Sequence, residues 1–278
     1  MKRIVVSGSF DDLRSRQVRF LEEAARLGEL EVLLWSDDVI QQVQGQQPKF
    51  PLAERLYVLA ALRYVSHVQP VERLESAKVL PVKTGRLPDG WAVLEDDHSP
   101  AKQEYCLRNR IEYHRIGTAQ LAGFPVLAEP IREPPSQSAQ RQPKKVLVTG
   151  CYDWLHSGHV RFFEEVSQLG DLYVVVGHDQ NVRLLKGVGH PLFGQDERRY
   201  MVQAVRFVKA ALISSGHGWM DAEPEIEVIH PDIYAVNEDG DNSEKRAFCA
   251  EHGLEYVVLK RLPKEGLPRR ESTRLRGY

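Results

Sequence analysis

The sequence predicts an α/β chain of two tandem domains, each a parallel sheet with helices on both faces. Two observations carry this expectation. One is an internal repeat; the other is the alternation of short β-rich runs with amphipathic helical runs inside each copy. The repeat shows first in GCYDWLHSGHVRFF, which runs from Gly150 to Phe163 and whose frame also occurs as GSFDDLRSRQVRFL from Gly8 to Leu21.

The register is long. Ser7-Gly8-Ser9-Phe10-Asp11 lies over Thr149-Gly150-Cys151-Tyr152-Asp153 at an offset of 142 residues, and Leu27-Gly28 lies over Leu169-Gly170. After a slip of one residue, Glu54-Arg55 lies over Glu197-Arg198, Pro88-Asp89 over Pro231-Asp232, and Cys106 over Cys249. Agreement over such a span marks a tandem duplication. Between the copies, EPPSQSAQRQPK has no apolar periodicity and is rich in Pro, Gln and Ser, the composition of an exposed linker. The expected organisation is a first domain at 1–132, a linker at 133–143 and a second domain at 144–278.

Within the second copy, KKVLVTG is a short β-rich run ending in glycine. From Ser157 to Gln168 the apolar residues Val160, Phe162, Phe163 and Val166 recur at helical spacing, and Gly170 is placed to end that helix. DLYVVVGHD reads as a buried strand, and Asp196 to Val208 as a helix with Met201, Val202, Val205 and Val208 on its apolar face. IEVIHPDIYAV and LEYVVLKRL supply later strands, with SEKRAFCAEHG helical between them. Alternating βαβ units of this kind imply Rossmann-like domains, whose ligands bind at the carboxyl ends of the strands.

Composition narrows the function. Charged residues make up 27% of the chain and the formal net charge is −2, so no polyanion-binding or membrane-surface role is indicated and no nucleic-acid partner is expected. Apolar runs fall far short of the roughly 20 residues needed to span a bilayer. Three widely spaced cysteines fit reduced thiols better than a disulfide framework or a zinc site, and a cytoplasmic protein is expected.

His156-Ser157-Gly158-His159 follows a strand and opens a helix, where free N–H groups and the helix dipole favour an anion. Histidines at i and i+3 face one side of the first turn, and Gly158 leaves room for a ligand near the backbone. Such a pair suits phosphate oxygens that gain charge in a transition state. A pair of surface histidines in a strand–helix turn is the plainer reading. A metal site is not expected, because no nearby cysteine or carboxylate has convincing ligand spacing.

Gly150, Tyr152, Asp153, His156, Gly158 and His159 together match G-x-F/Y-D-x-x-H-x-G-H, and the chain here resembles the HxGH nucleotidyltransferases, the cytidylyltransferases among them. The likeness continues through Leu185-Lys186-Gly187, ERRYMVQAVRFV from Glu197, and Pro231-Asp232. GCYD and MVQA are nearest in wording to ethanolamine-phosphate cytidylyltransferases, which are also tandem proteins. The glycine-rich stretch after Lys186 is also similar to the sugar-phosphate branch that makes nucleotide-activated heptose.

The resemblance implies two nucleotidyltransferase-type domains and gives residues roles. His156 and His159 would stabilise the pentacoordinate phosphorus as pyrophosphate leaves, and Lys186 would neutralise charge between the nucleotide and a phosphorylated acceptor. Gly150, Cys151, Tyr152, Asp153, Gly158, Arg198, Asn237, Arg269, Ser272 and Thr273 would line the nucleotide site. Asp153 is equally readable as a turn aspartate, and Arg198 as an ion-paired arginine. Mg2+ would accompany the triphosphate.

The chain also departs from the pattern. The family's terminal R-T-x-G-I-S-T keeps Ser272-Thr273, but its arginine falls on Leu267 and its glycine on Arg270, leaving Arg269, Arg270 or Arg274 to supply charge. The acidic V-D-E-V is here Val208-Lys209-Ala210-Ala211. In the first copy the two histidines are Arg14 and Gln17, the lysine position is Gln44, and Ser-Thr is Glu129-Pro130, while Gly8, Asp11, Val18 and Phe20 persist. Retained core with altered chemistry describes a pseudoenzyme domain, which a tandem chain could use as the second half of an intramolecular pseudo-dimer.

The expected function is transfer of CMP from CTP to a phosphorylated small alcohol, with release of pyrophosphate. Two alternatives stay open: adenylyl or cytidylyl transfer to a sugar phosphate, and a non-catalytic nucleotide-binding regulator.

Overall fold

A computed structural model describes residues 1–81, 87–127 and 143–275, apart from the Thr273 side chain. The chain divides into two compact units, Met1–Gly123 and Phe124–Tyr278. Most of the expected linker, and the Glu129-Pro130 position, lie outside the described residues. Phe124 counts with the second unit for a visible reason. Its carbonyl accepts from Arg199 Nη2 at 2.8 Å, and its ring lies 5.8 Å from that of Tyr200.

The first unit runs β1 (Arg3–Gly8), α1 (Ser15–Ala25), β2 (Glu29–Trp35), α2 (Asp37–Gln44), α3 (Leu52–Ala60), β3 (His67–Val71), β4 (Gly90–Leu94), α4 (Pro100–Asn109) and β5 (Glu112–Ile116). The second runs β6 (Lys145–Gly150), α5 (Ser157–Val166), β7 (Asp171–Val176), α6 (Asp179–Lys186), α7 (Gln195–Gln203), β8 (Val208–Ile213), α8 (Glu223–Ile229), β9 (Ile233–Asn237), α9 (Ser243–Glu251), β10 (Glu255–Leu259) and α10 (Ser272–Leu275). The strand orders are β3-β2-β1-β4-β5 and β10-β9-β6-β7-β8, with neighbouring strands parallel in both sheets. These are two Rossmann-like α/β units with one topology. The registers correspond as well: Arg3 pairs with Glu29 and Lys145 with Asp171, Gly90 with Glu112 and Ile233 with Glu255.

Val146, Leu147 and Val148 of the central strand β6 are all fully buried, so both faces of the sheet are covered. The repeated Pro-Asp pairs have a structural task. Asp232 Oδ2 accepts the Lys145 N–H at 2.7 Å, and Asp89 Oδ2 accepts the Arg3 N–H at 2.8 Å, so each carboxylate pins the start of its central strand. Gly170 and Gly28 pass close to that same start. A Cβ on Gly170 would stand 2.0 Å from the Lys144 carbonyl oxygen, and one on Gly28 would stand 2.3 Å from that of Lys2.

Two expectations about elements need correction. The helix expected from Asp196 to Val208 ends at Gln203, and Val208 opens strand β8. Met201, Val202 and Val205 are buried as expected, but Val208 is buried as a strand residue. Within IEVIHPDIYAV, the residues Ile226 to Ile229 close helix α8, and only Ile233–Asn237 is a strand. Pro224 in the first turn of α8 explains the difference, because its fixed φ suits a helix start.

Strand β6 has β7 on one side and β9 on the other, so the strand order reverses beside it. The loops leaving β6 and β9 therefore part at their carboxyl ends and open a crevice.

Candidate active site

That crevice is a cleft of ≈ 210 Å³ at the mouth of the second unit. Gly150, Cys151, Tyr152, Asp153, His156, Gly158, His159, Lys186, Asn237 and Ser272 all line it. Arg198 and Arg269 do not line it, and the Thr273 side chain lies outside the description.

His156 is the N-cap of α5. Its Nδ1 accepts the Gly158 N–H at 3.1 Å, so in the neutral ring the proton sits on Nε2. That Nε2 is buried and has no hydrogen-bond partner among the described residues. A buried donor left unmatched is costly, and a ligand oxygen in the cleft would relieve it. The His159 ring stacks on that of His156, with centroids 3.9 Å apart and planes 23° from parallel. Burial holds His156 in its neutral form, with its pKa pushed down to about 3, and the positive Arg261 and Arg270 push the same way. His159 is held well below its usual value by burial, then by His156, Arg261 and Lys186. The pair therefore meets a ligand as two neutral imidazoles.

Gly158 lines the cleft, and its lack of a side chain matters to a neighbouring ring as well. A Cβ there would stand 3.0 Å from both Nδ1 and Cε1 of His156. The room it keeps is therefore also room for the imidazole.

Asp153 Oδ1 accepts the N–H groups of Leu192 and Phe193 at 2.7 and 3.0 Å, tying the β6–α5 loop to the segment before α7. Lys186 is the last residue of α6 and is exposed at the cleft rim. The Cys151 thiol is pushed above its ordinary pKa, chiefly by burial, which keeps it protonated. Arg198 is 1% exposed and sits beneath the cleft. Its guanidinium donates to the carbonyls of Phe193 (2.9 Å), Cys151 (2.7 Å) and Gly177 (2.8 Å) and to Asp179 Oδ1 (2.7 Å). It is a tie between loops, so the expected nucleotide contact is replaced by a supporting role.

Positive charge is expected from Arg269, Arg270 or Arg274; the arginine that lines the cleft is Arg261, just past β10. Arg261 lines the cleft, pairs with Asp239 and reaches the Arg270 carbonyl at 3.3 Å. Arg269 lies in an adjoining groove with Arg161, Lys260 and Arg270, within 3.7 Å of Glu271. Sequence reasoning also passed over Lys245, His190 and Asp239, which line the cleft from loops and a helix start without a short motif.

In the first unit the corresponding positions are occupied by ion pairs. Arg14 pairs with Asp12 at 3.0 Å, and Arg16, at the Gly158 position, pairs with Asp96. Gln17 Oε1 accepts the Arg14 N–H at 3.1 Å and caps α1.

A model of the cytidylyltransferase-like family matches residues 147–252. An FAD synthase of Aciduliprofundum boonei is 38% identical over 125 residues, covering 44% of this chain and 80% of that protein. The chain belongs to the cytidylyltransferase-like family. An FAD synthase of Ferroglobus placidus is 35% identical over 125 residues, covering 44% of this chain and 78% of its own. The bifunctional protein HldE of Desulfatibacillum aliphaticivorans is 34% identical over 123 residues, covering 41% of this chain and 24% of that one. None of these three names is that of an ethanolamine-phosphate cytidylyltransferase. The protein is a nucleotidyltransferase of the HxGH superfamily, and the matched stretch includes His156, His159, Lys186 and Asn237. No helix among the described residues is long and apolar enough to cross a membrane.

Proposed function

We propose that the second unit transfers a nucleotidyl group from a nucleoside triphosphate to the phosphate of a small acceptor. An oxygen of the acceptor phosphate attacks the α-phosphorus in line and forms the new P–O bond. The bond to the bridging oxygen breaks, and pyrophosphate leaves with the electron pair. The observation that carries this reading is the stacked pair His156 and His159 at the start of α5, with the unmatched His156 Nε2 in the cleft. Neutral N–H donors, Arg261 and Lys186 provide charge stabilisation without a covalent intermediate.

Magnesium would come with the triphosphate. The cleft carboxylates are already engaged, Asp153 with two N–H groups and Asp239 with Arg261, which leaves phosphate oxygens to hold the cation.

CTP with a phosphorylated small alcohol is one substrate pair. The FAD synthase likeness supports a second, because FAD is a flavin phosphate joined to an adenylyl group. The first unit is read as a fold-retaining, catalytically silent repeat, its cleft positions taken by the Arg14–Asp12 and Arg16–Asp96 pairs. A triphosphate-using chain with three free cysteines is read as cytoplasmic. The test is pyrophosphate release with ATP or CTP against FMN, phosphoethanolamine, glycerol 3-phosphate and sugar phosphates. Turnover of at least one pair is expected. Nucleotide binding with no turnover by any pair would leave a regulator in place of an enzyme.

A further inference from the structure

Helices α4 and α9 start alike in the two units. Ser99 caps α4 by accepting the Lys102 N–H at 3.2 Å, and Asn242 caps α9 by accepting the Lys245 N–H at 2.8 Å. Each lysine folds its side chain back onto the turn before its helix. Lys102 Nζ donates to the Asp97 carbonyl at 2.7 Å, and Lys245 Nζ to the Gly240 carbonyl at 3.1 Å. The lysine and its carbonyl bond belong to the repeated fold.

What surrounds the ammonium differs. In the first unit Lys102 is buried, its Nζ lies 3.2 Å from the Asp97 carboxylate, and it stands 5.7 Å over the Trp91 ring. In the repeat register Asp97 answers to Gly240, so the second unit lacks that carboxylate. Among the described residues no acidic group comes within ion-pairing distance of Lys245. Backbone conformation does not demand glycine at position 240, because its φ is not positive. A Cβ there would meet Val236 Cβ at 3.9 Å and Lys245 Nζ at 4.0 Å, both ordinary contacts. An aspartate would fit, and its absence leaves the ammonium without a counter-charge.

Lys245 is half-buried and lines the cleft together with Asn237, Asp239, Gly240 and Arg261. Burial pushes its pKa below the ordinary lysine value, and the more distant Asp221 and Asp241 offset this only in part. The Gly240 carbonyl takes one of its three N–H donors. A partly desolvated cation without a paired anion is costly, so an anion entering the cleft supplies what Asp97 supplies in the first unit.

We propose that Lys245 binds a phosphate group in the cleft, and that glycine at position 240 releases its charge for this task. A phosphate suits an ammonium with open N–H donors, since its oxygens accept from several directions. The nucleotidyl-transfer reading above enters only in the choice of anion, because both of its substrates carry phosphate.

Calorimetric titration with CTP, ATP and pyrophosphate, each with magnesium, gives dissociation constants for wild type, Lys245→Met, Gly240→Asp, Gly240→Asn and Lys102→Met. Melting temperatures are read alongside, and the acceptor KM is measured with the pair that turns over best. Lys245→Met should weaken nucleotide binding by at least about tenfold, the loss of one charge-assisted hydrogen bond, without a matching loss of stability. Gly240→Asp rebuilds the first unit's ion pair and should weaken binding as much. Gly240→Asn adds similar bulk without charge and should bind much as wild type does. Lys102→Met should leave binding unchanged. Unchanged nucleotide binding with a raised acceptor KM in Lys245→Met would assign the phosphate to the acceptor and sustain the proposal. No change in either quantity, equal effects of Gly240→Asp and Gly240→Asn, or weaker binding that merely tracks a lower melting temperature overturns it. If wild type binds nucleotide but turns over no pair, while Lys245→Met binds weakly, the transfer reading falls and the phosphate site stands. A wild type that neither binds nor turns over any of these phosphates overturns both.

Discussion

Arg55 and Arg198 make the same set of hydrogen bonds in the two units. Each Nε donates to a phenylalanine carbonyl at 2.9 Å, Phe50 in one unit and Phe193 in the other. Each reaches the loop after the central strand, at Ser9 O and Cys151 O, both at 2.7 Å. Each also bonds the end of the next strand region, at Trp35 O and Gly177 O, both at 2.8 Å, and an aspartate, Asp37 or Asp179. Since Arg14 and Gln17 stand in place of the histidines in the first unit, this arrangement persists without the histidine pair. The arginine belongs to the fold.

Replacing Arg198 with methionine should therefore cost stability before it costs nucleotide contact. Three carbonyls, that of Gly177 buried and those of Phe193 and Cys151 partly so, and a carboxylate would lose their donor, an effect of about 3–5 kcal/mol. Urea denaturation checks this, and Arg55→Met should show a loss of similar size.

Gly158→Ala should impair turnover with a small effect on stability. The new methyl would press on the His156 ring at 3.0 Å and tilt it off its partner. A misplaced catalytic group of this kind commonly costs on the order of 100-fold in rate. Pyrophosphate release read beside a thermal melt would separate this from unfolding.

The buried histidines also set a pH dependence. His156 has its folded pKa pushed down to about 3, whereas the unfolded chain protonates near the usual imidazole value of about 6.5. Below that value the unfolded state binds more protons, so stability falls as pH falls from about 6.5 toward about 3, and is fully present above it. His159 acts in the same direction. Thermal melts at pH 7 and pH 5 should show a drop in wild type that is smaller in His156→Gln.

Much of this was legible from residues alone, and the limits have physical causes. The repeat, the strands β6, β7 and β10 and the helices α5 and α9 follow from patterns long enough to be unambiguous. The run Ile226–Ile229 was not, since a short apolar run rich in Ile and Val suits strand or helix until Pro224 is given its place at a helix start. Val208 continued the apolar spacing of α7 into the next strand by coincidence of period. The histidine pair could be found because adjacent residues carry it. Arg261 could not, because its place in the cleft depends on how the chain turns after β10 and not on spacing to Ser272. Arg198 stayed open between a ligand contact and an ion pair because a sequence does not reveal that an arginine is 1% exposed.

The central claim is that His156 and His159 carry the transfer while the first unit contributes none. The most direct test compares pyrophosphate release by wild type, His159→Ala and Gln17→Ala, using the substrate pair identified from the panel. His159→Ala should lose turnover and keep its fold. Gln17→Ala removes a helix cap, so it should cost at most about 1 kcal/mol of stability and leave turnover unchanged. Equal loss of turnover in the two variants, or full activity in His159→Ala, would contradict the account.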